Sequence, residues 1–188
     1  MNKNKIIVWT RPIRIFHLSL VILVISLFLT EDFELIHEIA GFGVLFLILF
    51  RIIYGLNTEN EHEQLSGFFH SPKDIISFFM SVITFKEKRY LGHNPLAGIV
   101  MIALIIFMLV SVFTGSVGFA MKEEEGFLSF IIDSNFELGK TLLNIHQGAS
   151  NIILTLIGFH LMGVLVSSIL TKENLAKTIF KDGKKRRD

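Results

Sequence analysis

Seven histidines in a chain with no cysteine set the chemistry this sequence can perform. Without thiols, disulfides, thiolate zinc sites, iron–sulfur clusters and thioether-attached cofactors are excluded. A metal here must be held by His, Met, carboxylate or backbone. Four of the seven, His17, His37, His146 and His160, fall in or at the edges of long apolar stretches. An ionisable side chain inside a membrane helix is costly and usually functional. A single one can be explained by an interhelical hydrogen bond. Four in a regular arrangement are poorly explained that way.

The arrangement is regular. His146 and His160 are 14 residues apart (160 − 146). At 3.6 residues per turn this is close to four full turns, so both face nearly the same way, about 21 Å apart along the axis. They cannot serve one metal ion, but they can serve two at different heights.

The elements that position them are read from hydropathy. Apolar residues make up 51% of 188 residues and charged residues 19%, with 19 Phe, a composition suited to lipid rather than water. Four apolar stretches reach span length: 13–30, 36–56, 96–120 and 142–170. All must be helices, because a lone segment in lipid satisfies its own backbone. The first resembles a signal peptide, yet no small-residue cleavage site follows, and a run of about 18 residues suits a span. The expected fold is an all-α integral membrane four-helix bundle, a single domain over 1–188. Ser71-Pro72-Lys73-Asp74 reads as a capped helix start, which predicts a short interfacial helix over 71–85.

Orientation follows from Lys and Arg. With the N-terminus inside, the inner segments carry 16 of the 18 basic residues, and the outer connections only Lys122 and Lys140. Both termini are therefore expected in the cytoplasm. The tail Lys184-Lys185-Arg186-Arg187 reads as a solvated flank near anionic headgroups. Depth then selects partners. His17 starts the outward first helix, and His160 lies toward the inner half of the inward fourth helix. His37 and His146 both lie near the outer face. The pairs are His17 with His160 (inner) and His37 with His146 (outer).

Two imidazoles make a poor zinc site, since structural zinc takes four ligands. A porphyrin supplies four nitrogens of its own, so two histidines suffice. Two non-covalent b haems with bis-His iron are expected. Ala40, Gly41, Gly43, Gly148, Ala149, Gly158 and Gly163 would let a flat macrocycle approach the backbone, although close helix packing uses the same residues. Arg11, Arg14 and Arg51 are candidates for the anionic propionates, or else positive-inside anchors. In the inner loop, His93 with Asn94 and Arg89 is a candidate quinone pocket, and a turn at a helix entrance is the plainer reading. His62, among Glu59, Glu61 and Glu63, reads as solvated.

Several strings resemble a known family: Val8-Trp9 through Arg14 and His17; His37…Gly41-Phe42 and Phe50-Arg51…Tyr54-Gly55; Arg89-Tyr90-Leu91-Gly92-His93-Asn94-Pro95-Leu96; Thr114-Gly115; and His146, Asn151, His160 with Glu173-Asn174-Leu175. Together they resemble the bacterial cytochrome b561 and nickel-iron hydrogenase b-type cytochrome subunit family over nearly the whole chain. Leu18 departs from it, standing where an aromatic commonly follows the histidine. The resemblance implies a four-helix, two-haem cytochrome of the bacterial inner membrane, ligated by His17, His37, His146 and His160. It implies electron transfer, as a subunit of a respiratory oxidoreductase system, between the quinone pool and a periplasmic redox protein such as a hydrogenase or c-type cytochrome. Lipid is a further partner, a homodimer is compatible with this reading, and nucleic acid is not expected. The alternatives are a stand-alone quinone reductase using a small oxidant such as superoxide, and a haem-free anchor or metal transporter. A transporter should show charges along a pathway; spans three and four contain none, and span one only Arg14 at its inner end.

Overall fold

The structure, a computed structural model, describes residues 5–86 and 89–186. Lys3, Lys88 and Arg187, which enter the charge count above, lie outside the described residues. Four helices are long and apolar enough to cross a membrane: α1 (Arg11–Leu29), α2 (Glu34–Asn57), α4 (Pro95–Glu123) and α5 (Phe136–Thr171). The fold is all-α as expected. Large apolar side chains on these helices point outward, such as Phe46 at 70% exposure. In water such faces would be a liability; against acyl chains they are the solvent-facing surface.

Helix α3 (Pro72–Ile83) forms where its cap predicts. The Ser71 hydroxyl oxygen accepts from the Asp74 N–H at 3.1 Å, and the hydroxyl donates to Asp74 Oδ2 at 2.6 Å. That donated bond holds the Asp74 carboxyl below its ordinary range. Phe78 is buried against Tyr90, while Ile76, Phe79, Met80 and Ile83 are exposed. One apolar face is therefore left for an interface.

The chain packs as two compact units. The first comprises Met1–Leu18, Phe50–Ala103 and Ile157–Asp188; the second comprises Ser19–Leu49 and Leu104–Leu156. In the first unit the chain's two end segments meet. Strand β1 (Lys5–Ile7) pairs antiparallel with β2 (Lys184–Arg186), Ile6 opposite Lys185. The basic tail is thus partly tied into a ribbon, where sequence predicted only a solvated flank. A short helix α6 (Leu175–Lys177) and a wide turn (Thr178–Asp182) lead into it. Gly183 closes that turn at φ +66°, donating to the Thr178 carbonyl at 2.7 Å and accepting from Val8 and Trp9 N–H. A Cβ there would lie 1.9 Å from the Trp9 carbonyl oxygen, so both conformation and space demand glycine.

The same unit buries a carboxylate. Glu63 is 0% exposed and accepts from the Thr10 backbone N–H, from Thr10 Oγ1 at 3.1 Å and from Tyr54 OH at 3.0 Å. It sits at the start of α1, where the orphan N–H groups and the helix dipole favour an anion. The sequence expects His62 to be solvated, but its side chain is only 19% exposed; of its acidic neighbours Glu61 is exposed and Glu63 is buried.

Candidate haem-ligand pairs

In the first unit, His17 on α1 and His160 on α5 bring their rings to a centroid separation of 6.4 Å, planes at 49°. Phe180 from the C-terminal turn stands edge-on to His17 at 5.7 Å. Phe16, one residue before the histidine, is buried and packs on Phe50 at 6.2 Å. That contact anchors the helix turn carrying His17. The Nδ1 of His17 is buried with no hydrogen-bond partner among the described residues.

In the second unit, His37 in the first turn of α2 meets His146 on α5 at 6.1 Å, planes at 77°. Both rings are held through Nδ1. His37 Nδ1 lies 3.1 Å from the Leu27 carbonyl, one of the last four carbonyls of α1, which lack intrahelical partners. His146 Nδ1 lies 2.8 Å from the Ser111 carbonyl and 3.1 Å from the Ser111 hydroxyl. A carbonyl only accepts, so Nδ1 donates in both rings and each Nε2 is left with its lone pair. Gly115 makes the close approach on α4 feasible. A Cβ there would stand 2.7 Å from His146 Nδ1.

These separations can be compared with what a shared metal requires. A metal–imidazole nitrogen bond is about 2.0 Å, on the zinc value. The centre of a five-membered ring with bonds of about 1.33 Å lies about 1.1 Å from each atom. Twice the sum is about 6.2 Å, and the two pairs bracket it. Among the described residues no group of three or more His, Asp or Glu assembles, so a bare-metal site of that size is not built. Two nitrogens per site suit a macrocycle that brings four more.

The small residues separate into two groups. Ala40 and Ala149 are buried, and a Cβ on Gly43 would press on Leu23 at 2.9 Å; these serve helix packing. Gly41, Gly148, Gly158 and Gly163 would meet nothing within 4 Å. Gly41 follows His37 by one helical turn and Gly163 follows His160 by nearly one, so their open space lies on the ligand faces. A flat ring could lie there, and the residues present fit a bis-His haem at each pair.

The arginines are placed differently from one another. Arg11 is exposed. Arg14 is committed to backbone: Nε donates to the Ile179 carbonyl at 3.0 Å, and Nη2 to the carbonyls of Phe180 (3.5 Å) and Lys181. Arg51 is buried over the Phe68 ring at 5.0 Å, with Glu63 as charge partner and Nη1 lacking a hydrogen bond among the described residues. In the loop, His93 packs edge-on between Trp9 (5.0 Å) and Phe68 (4.7 Å). Asn94 Oδ1 accepts from Ala97 N–H at 2.8 Å and caps α4, the plainer of its two readings. Arg89 pairs in two-pronged fashion with Glu173, at 3.0 and 3.1 Å. Arg89 and Asn94 do line a small cleft of about 30 Å³, with Tyr90, Ser167, Thr171 and Glu173, while His93 is not among its lining residues. The supports that sequence reading missed are Ser111, Glu63, Glu173 and Phe180.

No curated protein matches the chain by sequence. Residues 8–182 match the family model described as prokaryotic cytochrome b561. The chain therefore belongs to the prokaryotic cytochrome b561 family, and is a multi-pass membrane b-type cytochrome of electron transfer.

Proposed function

We propose that each histidine pair holds the iron of one b haem, His17 with His160 on the cytoplasmic side and His37 with His146 on the periplasmic side. On this reading the chain conducts electrons between a periplasmic redox protein, a hydrogenase or c-type cytochrome, and the quinone pool in the bacterial inner membrane. The observation that carries it is the ring separation of 6.4 and 6.1 Å, each near the value one shared iron requires. When bound, the haem supplies the one-electron change at iron. The residues do the rest. Four histidines ligate; the Leu27 and Ser111 carbonyls orient two of them; the exposed apolar helix faces keep the sites in lipid and away from bulk water. The two end segments, joined by β1 and β2, would lie on the basic, cytoplasmic side. The small polar cleft of Arg89, Asn94 and Glu173 is the place offered for a quinone ring's oxygen.

The test is haem content and spectrum. Purified protein should be red, with a reduced spectrum of low-spin b haem. His146→Ala should halve the haem-to-protein ratio while sparing the other site, and His17→Ala should do the converse. A colourless, stably folded protein refutes the reading. Loss of the same haem in both variants refutes the pairing.

A further inference from the structure

The two pairs differ in what surrounds their ring nitrogens, and the difference bears on redox poise. We propose that Ser111 is a positioning residue for His146 and that, with the Leu27 carbonyl on His37, it makes the haem of the His37–His146 pair the lower-potential one. This rests on the two-haem reading above.

The geometry is specific. The Ser111 carbonyl and hydroxyl both face His146 Nδ1, at 2.8 and 3.1 Å, and the Ser111 hydroxyl is 3.3 Å from the Ser150 hydroxyl. Ser111 is itself buried on α4. One proton arrangement satisfies every contact: His146 Nδ1–H is shared by the two Ser111 oxygens, and the Ser111 hydroxyl donates to Ser150. An imidazole whose N–H is given to acceptors is a more basic ligand through its other nitrogen. A more basic ligand stabilises the more positive iron, and so lowers its reduction potential. Both rings of this pair carry such acceptors. Among the described residues His17 has none at its buried Nδ1, and the Phe180 ring stands edge-on to it. Such an ordering favours net electron flow from a periplasmic donor toward the quinone.

Potentiometry of the full-length, haem-loaded protein followed by absorbance decides it. Two one-electron waves are expected, and His146→Ala should remove the lower. Ser111→Ala keeps the carbonyl, so it should retain the haem and raise the lower wave by about tenfold in equilibrium constant, about 59 mV. The upper wave should stay put. Ser111→Thr, which keeps the hydroxyl, should restore the lower wave. Ser150→Ala should shift it in the same direction by less. If Ser111→Ala loses the haem, Ser150→Ala decides, and an unmoved lower wave overturns the proposal. So does a lower wave that survives His146→Ala while the upper one disappears. If His146→Ala removes neither wave, the two-haem assignment itself has failed instead.

Discussion

The His37–His146 pair is held by hydrogen bonds, and the His17–His160 pair by packing. In the first, each ring is fixed by a backbone carbonyl, and a glycine on a neighbouring helix leaves room for one of them. In the second, an edge-on Phe180 and the packed Phe16 shape the surroundings, and the His17 Nδ1 makes no hydrogen bond among the described residues. A hydrogen bond fixes tautomer and direction together, whereas packing fixes only position. The first pair should therefore be the more preorganised, and the more sensitive to changes in the helix that supports it.

The largest expected effect breaks the comparison at Gly115. Gly115→Val places a side chain where a Cβ alone would sit 2.7 Å from His146 Nδ1. The ring must leave its carbonyl, and affinity for that haem should fall about 10–100-fold, the range seen when an outer-shell partner is lost. The His17–His160 haem should be retained in the same sample. Gly41→Leu is the counterpart. The protein itself has nothing within 4 Å of a Cβ there, so the melting temperature of haem-depleted protein should barely move while haem retention drops. Full haem content in Gly41→Leu would show that its open space faces lipid rather than a macrocycle.

Much of this was legible in the sequence, for reasons that can be named. Hydropathy located four spans because lipid tolerates few alternatives to an apolar helix, and depth with the 14-residue spacing matched the histidines whose rings adjoin. What escaped depends on contacts distant in sequence. Helix α5 starts at Phe136, ahead of the expected 142, because Asn135 Oδ1 accepts from Leu138 N–H and opens a polar first turn that hydropathy cannot see. Nothing in its acidic run marks Glu63 for burial, which is decided by Thr10 and Tyr54, 53 and 9 residues away. Arg14 reads in sequence as a propionate partner or an anchor, yet its guanidinium reaches carbonyls about 165 residues on. Ser111 did carry a signal, a polar residue inside an apolar span, but nothing in the sequence ties it to His146.

Next in size is the contrast between two carboxylates. Glu63 in the first unit is fully buried, with three donated hydrogen bonds and Arg51 as charge partner. Glu38 in the second unit accepts from Phe127 N–H at 2.7 Å in a more open setting. Glu63→Ala strands buried donors and a buried cation, and should cost about 3 kcal/mol or more. Glu38→Ala loses one semi-exposed hydrogen bond and should cost about 1 kcal/mol. Thermal unfolding of the two variants checks the order. Equal losses would mean that the Glu63 cluster relaxes or admits water.

The smallest effect belongs to the cap of α3, outside both histidine pairs. The Ser71 hydroxyl donates to Asp74 and its oxygen accepts the Asp74 N–H, so Ser71→Ala removes both. The Asp74 carboxyl is held below its ordinary value, chiefly by that donated bond. A group whose folded pKa is depressed stabilises the fold above its unfolded pKa, and that contribution is lost as pH falls through the folded value. The melting difference between wild type and Ser71→Ala should therefore be full near neutral pH and narrow in acid, below the ordinary aspartate range. Haem content should not change at either pH, because α3 supplies neither a ligand nor a ring contact to the histidine pairs. A haem loss in Ser71→Ala would couple the interfacial helix to the cofactor sites and remove the separation drawn between them.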